Sequence, residues 1–529
     1  FTDGSDYGFY KYYKADDRQV YADIMVNIDK RFKDFSLSAN IGGSFTQTYY
    51  DEKGFQGGLK DMSNVFSLYN MNTVLDKDTY PVEDGYKQRT NSVFASAELG
   101  WKSMLYLTLT GRNDWDSALI NTERSSFFYP SVGLSGVISE MVKLPTFISY
   151  LKVRGSFASV GTAIPRNLSS KKTYKWEPST SQWKLQTYRP LPKLYPERTN
   201  SWEVGLNAKF FRNSLTLDVT WYKANTRKQT FLVPLSGTAV YAAMYAQSGN
   251  IENQGMEFTL GYNKKWGDFG WSSSLTYSFN KNKIVELLDD AVDDEGNHYT
   301  LKEIDKGGIG SAKIILRKGG DMGDMYVTNR LKRDQEGNIY IDKATQNVKK
   351  EDIKNSDEFI HVGSVLPKGN MGFRNDFSYK GINLGFMLSA RFGGIVMSPT
   401  QAVMDQFGVS KTTELARESE GIAINNGLVD TQTFYTETAG VSGLMSNYIY
   451  SATNVRLQEV SVGYAFPAKW FNNKCNLSLT LTGHNLWMIY NKAPFDPEST
   501  ASTGTYYQGI DYFMQPSLKS WGFNVKIQF

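Results

Sequence analysis

A chain of 529 residues with 58 Lys and Arg against 54 Asp and Glu carries a formal charge of +4 spread along its length, which leaves no basic stripe for nucleic acid. Its single cysteine, Cys475, excludes a disulfide and a thiolate metal cluster, and the three histidines, His298, His361 and His484, have no partner at metal-ligand spacing. No stretch reaches the ~18 apolar residues of a membrane helix, while 14 % aromatic residues, 46 Gly and 15 Pro fit one long β-rich architecture.

The first residues, Phe1-Thr2-Asp3-Gly4-Ser5-Asp6, lack the basic and apolar regions of a signal peptide, so an exported protein opening here has had its start removed. Strand candidates then come in pairs. Residues 20–29 and 34–46 meet at Arg31-Phe32-Lys33, and 91–101 and 104–114 at Lys102-Ser103. Residues 128–138 and 149–160 have a longer join, and 200–210 and 214–226 meet at Phe211-Arg212-Asn213. Further on, 253–264 pairs with 270–281, 369–379 with 382–393 across Lys380-Gly381, and 454–466 with 475–486. Cys475 opens the last of these as a small outward-facing residue. The period is two: Leu215, Leu217, Val219 and Trp221 alternate with Thr216, Asp218, Thr220 and Tyr222, and no 3.6-residue helical period is present. The final strand, 519–529, places Trp521, Phe523, Val525, Ile527 and Phe529 on one face and runs into the terminal carboxylate.

Short joins on one side and long polar segments on the other (47–90, 115–127, 161–199, 227–252, 282–368, 394–453 and 487–518) predict an all-β, transmembrane antiparallel β-barrel of the outer-membrane type, with periplasmic turns and extracellular loops. The mean hydropathy of −0.43 is no objection, because a barrel strand shows lipid only every second residue. About fifteen strands are expected. Counting directions back from a periplasmic C-terminus puts residue 1 outside, whereas single-chain barrels have even strand numbers and both ends in the periplasm. Since an open sheet leaves unpaired edges in lipid, the expectation is that 1–529 is the C-terminal portion of a barrel domain. A complementary N-terminal fragment or second chain would complete it.

Several segments carry a family resemblance. Gly111-Arg112-Asn113-Asp114 followed by Phe128-Tyr129-Pro130-Ser131-Val132-Gly133, then Pro196-Glu197-Arg198-Thr199-Asn200-Ser201-Trp202-Glu203-Val204-Gly205, resemble the SusC/RagA-type TonB-dependent transporters of Bacteroidetes. So do Ser248-Gly249-Asn250-Ile251-Glu252-Asn253-Gln254-Gly255-Met256-Glu257, Asn454-Val455-Arg456-Leu457-Gln458-Glu459, and Gly483-His484-Asn485-Leu486 with Asp496-Pro497-Glu498. The resemblance covers about 90–529. It implies a barrel of about 22 strands, of which these would be the eighth to the last, with the N-terminal plug, first strands and TonB-contacting segment absent from this chain. It further implies an active importer of oligomeric nutrients in the bacterial outer membrane, capped by a SusD-like lipoprotein and driven by the TonB complex. Oligosaccharides are the leading substrate and oligopeptides the alternative; a dimeric assembly is left open, and an adhesin or structural barrel is the competing class.

Glu197, Glu203 and Glu257 lie at or near strand ends without a nucleophile or histidine beside them, so no enzyme is expected. Substrate-contact candidates are the aromatics of the external segments, Trp176, Trp183, Tyr241, Tyr245, Tyr506 and Tyr507, whose rings can stack on the apolar faces of sugars. No cofactor is expected. Asp289 and Asp293 in one acidic run, and Asp334, Glu336 and Asp342 in a second, are weak Ca²⁺ candidates, without the bidentate Glu of an EF-hand.

Overall fold

The computed structural model describes all residues except 1–5, 73, 75–77, 121, 123–124, 163–167, 169–173, 178–179, 181, 186–187, 190–194, 235–242, 293–297, 503 and 505–506. Fifteen strands form one antiparallel sheet in chain order: β1 Phe9–Phe32, β2 Phe35–Gly58, β3 Tyr80–Trp101, β4 Leu105–Asp116, β5 Ser126–Val137, β6 Ile148–Thr162, β7 Glu197–Phe210, β8 Leu215–Pro234, β9 Ala243–Trp266, β10 Phe269–Glu286, β11 Gly369–Tyr379, β12 Ile382–Phe392, β13 Asn454–Ala465, β14 Asn476–Asn491 and β15 Ser520–Gln528. Among the described residues β1 pairs only with β2 and β15 only with β14, so the sheet has two edges.

Hairpin joins follow from backbone conformation. Phe32 pairs with Phe35 around Lys33-Asp34, and Tyr379 with Ile382 around Lys380-Gly381. Lys33 and Lys380 have φ of 47° each, the positive values whose twist matches that of paired strands. Gly381 (φ 91°) is required at its turn, since a Cβ there would meet the Ala465 carbonyl at 2.6 Å.

Alternation sorts the faces. Phe210, Ala208, Leu206, Val204 and Trp202 share one face of β7, and Trp202 and Val204 on it are more than half exposed. That face carries aromatic girdles. At the short-turn end Tyr262, Trp266, Phe269, Trp271 and Phe377 stack in a chain with ring centroids 4.8–6.3 Å apart; at the other end Phe157 lies 4.6 Å from Trp202. From Phe210 to Trp202 is eight residues, about 27 Å of strand, or roughly 20 Å along the normal at ~40° tilt, close to the apolar height of an outer-membrane barrel.

Three expectations need correction. The strands outrun the membrane: β1 and β2 extend over 9–58 rather than 20–46, and β8 and β9 reach 234 and 243, so parts of the segments expected as loops are strand. Beyond the bilayer both faces meet water and the apolar alternation fades. Cys475 lies just before β14 rather than within it. In addition, 394–453 is not plain loop. It holds three two-turn helices, Pro399–Gln406, Lys411–Glu418 and Thr431–Thr438, whose N-caps Ser398, Ser410 and Asp430 accept from the N–H groups of Gln401, Thr413 and Thr433.

Those helices belong to a folded cap. Loops 287–368, 393–453 and 492–519 share one core in which Ile314, Leu316, Met325, Met397, Met445 and Ile510 are at most 2 % exposed. A four-stranded antiparallel sheet, Glu303–Ile309, Ala312–Arg317, Asp324–Val327 and Ile360–Ser364, forms its frame. Ile284 of β10 and Phe231 of β8 complete the same core. Ile284 shares its strand face with Asn280 and Asn282, opposite to Phe279 and Tyr277 of the exposed apolar face, so the cap is seated on the lumen side of the wall.

Candidate functional site

The inward faces of the strands build a polar wall from Arg–carboxylate pairs laid across a glycine. Arg154 on β6 reaches over Gly205 of β7 to Asp218 of β8, with Nη2–Oδ1 2.8 Å and Nη1–Oδ2 3.1 Å, and also donates to Thr220 Oγ1. Asn207 donates to the second Asp218 oxygen at 2.8 Å. A Cβ at Gly205 would stand 2.6 Å from Arg154 Nε, which is why the strand carries glycine there. β11–β13 repeat the arrangement: Arg374 holds Asp376 at 2.8 and 2.9 Å and Glu459 at 3.1 Å, and a Cβ on the intervening Gly385 would meet Asp376 Oδ1 at 2.7 Å. His484 Nδ1 stands 3.7 Å from Glu459. Nearer the long-loop end, Arg112 donates to Asp114 and Ser92 at 2.7 Å each, and Tyr129 hydrogen-bonds Asp114. We expect Gly205→Val to displace Arg154 and cost about 1–3 kcal/mol by overpacking, read as a lower melting temperature, whereas Gly205→Ala costs less.

Above the wall, β10 and the cap enclose a cavity of about 780 Å³ lined by Asn280, Asn282, Lys281, Lys283, Lys368 and Asp321, with glycines at 319, 320, 363, 393 and 394. Its amides are organised: Asn280 and Asn282 both donate to Asn253 Oδ1, Tyr222 donates to Asn280 Oδ1, and Met322 N–H donates to Asn282 Oδ1. Burial raises the Asp321 carboxyl above its ordinary value against the hydrogen bonds from Gly323 and Ser364. Asp324 accepts from Asp321 N–H and faces His361 Nε2 at 3.0 Å.

The loop 492–519 is tied down at Arg456, which with Asp496 is under 10 % exposed. The guanidinium meets Asp496 at 2.8 and 3.2 Å and Glu498 at 3.3 Å. Two segments singled out in the sequence thus meet in space across 40 residues.

The residues selected from sequence are dispersed. Trp176 and Trp183 face each other on the hairpin Tyr174–Glu177 with Gln182–Leu185, rings 5.6 Å apart and nearly edge-on, and Trp183 is 67 % exposed. Tyr245 packs against a small core of Ala118, Leu119 and Leu168. Tyr507 donates its hydroxyl to the Lys306 carbonyl at 2.6 Å and so joins two cap loops. Tyr241, Tyr506 and Asp293 lie outside the described residues, as does the side chain of Asp289. Asp334 turns its Oδ1 onto the N–H groups of Glu336 and Asn338, and Asp342 onto those of Ala344 and Thr345. No group of three or more His, Cys, Asp or Glu that could hold a metal occurs among the described residues. Glu197 caps the Thr230 N–H at 2.9 Å. The Arg154–Asp218 and Arg374–Glu459 pairs escaped sequence reading; inward parity marks each residue, but their adjacency depends on register.

An apolar outer face with two girdles, a polar inner face and a folded cap on the lumen side define the wall of an outer-membrane β-barrel. Residues 1–305 match the family model described as TonB dependent receptor-like, beta-barrel, and the chain belongs to that family. It is 24 % identical over 536 aligned positions to TonB-dependent receptor P3 of Formosa agariphila, covering 95 % of this chain and 51 % of that protein. It is 26 % identical over 291 positions to TonB-dependent receptor SusC of Bacteroides thetaiotaomicron, covering 52 % of this chain and 26 % of the other. The fold matches that of the RagAB peptide transporter with TM-score 0.73 at 17 % identity, over 97 % of this chain and 55 % of that one. The chain spans about half the length of the curated relatives that it matches over most of its length. That family places the chain in the outer membrane.

Proposed function

We propose that this chain supplies most of the barrel wall and the external cap of an active importer of oligomeric nutrients, with oligosaccharides as the substrate class. Further strands of the same transporter close the two sheet edges, which hydrocarbon would not tolerate unpaired. The observation that carries the reading is the amide-lined cavity where the cap meets β10: Asn280 and Asn282 line it, are held by Asn253 behind them, and each keeps a second neutral N–H suited to hydroxyl groups. The exposed Trp176–Trp183 pair adds a stacking surface outside it. A SusD-like surface lipoprotein covers the mouth and TonB supplies the energy. Oligopeptides are the second reading, favoured by Lys368 in the cavity lining, whose ammonium can pair with a peptide carboxylate.

Binding of a glycan panel and a peptide panel to the purified complex tests the assignment. A glycan is expected to bind, with Trp183→Ala weakening it about tenfold, the worth of one stacking contact. Peptide-only binding selects the second reading, and silence on both panels overturns import of oligomers.

A further inference from the structure

The external rim of β7 and β8 carries a cluster that the transport path does not use. Arg198 and Arg227 are directly paired across the two strands, an arrangement that sets like charges about 5 Å apart at Cβ and is unfavourable by itself. Lys228 follows, where one ladder pair opposite Gly249 is missing without a change of register, with φ of 58° and its ammonium 4.2 Å from the Tyr195 ring. All three cations are exposed, and none takes part in an ion pair among the described residues. They line a cavity of about 460 Å³ with Ser126, Phe128 and Asn200. Its carboxylate, Glu197, sits on the opposite strand face and is engaged by the Thr230 N–H. Arg198 is anchored by donating to the Phe128 carbonyl at 2.7 Å, beyond the point where β5 and β6 stop pairing.

The face decides what such a cluster meets. Register is unbroken from 198 to 209 on β7, so Arg198 shares the face of Trp202 and Val204; Arg227 likewise shares that of Trp221 and Val219. This is the apolar outer face and not the lumen. From Trp202 to Arg198 is four residues, about 13 Å along the strand and roughly 10 Å along the normal at ~40° tilt. That is the outer margin of the headgroup layer, within reach of an arginine side chain. Exposed Trp202 lies below on the same face and exposed Phe128 beside Arg198, so the cations border an apolar surface.

We propose that this rim binds a phosphorylated glycolipid of the outer leaflet, its phosphate held by Arg198 and Arg227 with Lys228 beside them and its acyl chains lying along Phe128 and Trp202. A planar guanidinium pair matches phosphate oxygens in number and geometry, and the anion converts a like-charge repulsion into a bridge between the two strands.

The test uses the complete transporter purified from outer membranes and transferred to phosphatidylcholine nanodiscs. These contain a bis-phosphorylated, acylated glucosamine disaccharide or its dephosphorylated form. Native mass spectrometry should find the phosphorylated lipid retained and the dephosphorylated lipid lost. R198Q/R227Q is expected to weaken retention about tenfold or more, and R198K/R227K to keep most of it. R227Q alone provides the comparison if the double variant does not insert, and heat-modifiable gel mobility establishes that each barrel is folded. Equal retention by R198Q/R227Q, equal retention of the dephosphorylated lipid, or displacement by millimolar inorganic phosphate would each overturn the assignment, the last by making this a free-anion site.

Discussion

Leu316→Ala is expected to unfold the external cap while the barrel wall stays intact. Leu316 is fully buried in a core to which three loops and the ends of β8 and β10 contribute. Truncating such a leucine costs about 2–5 kcal/mol, because the cavity collapses only in part. The cap has a core of its own, which meets the wall at Ile284 and Phe231 and at hydrogen bonds such as Ile284 N–H to the Gly320 carbonyl, so a loss of that size falls on a local unit before it reaches the sheet. Proteolysis and hydrogen exchange should show loops 287–368, 393–453 and 492–519 losing protection together, while gel mobility without heating remains that of a folded barrel. Loss of protection in one loop alone would mean that the shared core is not cooperative; loss of the barrel signal would mean that cap and wall are one unit.

Arg456→Ala should release the 492–519 loop and cost about 3–5 kcal/mol, since it leaves Asp496 buried without its partner. pH separates this from a packing defect. In the native protein burial pushes the Asp496 carboxyl up, but Arg456, Ser517 and the Glu498 N–H outweigh it and hold the group below its ordinary value of 3.8. A carboxylate depressed in the folded state contributes stability above its unfolded pKa and loses it as pH falls through the folded value. Native loop anchorage should therefore persist at neutral pH and fail only below about pH 4. Without Arg456 burial dominates, the sign reverses, and acidification should tighten the loop. A loop whose exchange rate in Arg456→Ala does not respond to pH would exclude the ion pair as the anchor. Arg456→Met with Asp496→Leu should recover most of the loss, as apolar replacement of a buried pair is often near neutral.

The strands were legible where lipid and water impose opposite demands on alternate residues. Leu215, Leu217, Val219 and Trp221 could be placed outward by inspection, and each of the fifteen wall strands corresponds to a predicted one, whereas the short strands of the cap do not. Reading failed where that contrast disappears. The outer half of β1, with Lys11, Tyr12, Tyr13 and Lys14, meets water on both faces and looks like loop. The cap helices are two turns long, too short for a period to emerge, although Ser398-Pro399 and the Asp430–Thr433 spacing are helix-start signals that a closer reading could use. The lumen pairs were invisible for another reason: Arg154 and Asp218 are 64 residues apart and Arg374 and Glu459 are 85, and only register brings them together. Trp176 and Trp183 were found together because a local hairpin joins them.

The cap core has a consequence for biogenesis. Its members are separated widely along the chain, as the Tyr507–Lys306 hydrogen bond across 201 residues illustrates. None of its three loops has the whole core within itself, and closing such distances in a free chain is entropically expensive and slow. Pairing of β8 to β15 does most of that closing in advance, by fixing the loop ends side by side. The loops should therefore arrive on the far side of the membrane as open chain and condense last. The cap would then act as an assembly checkpoint: a strand out of order beneath it would leave Ile284 and Phe231 misplaced, and the core could not close.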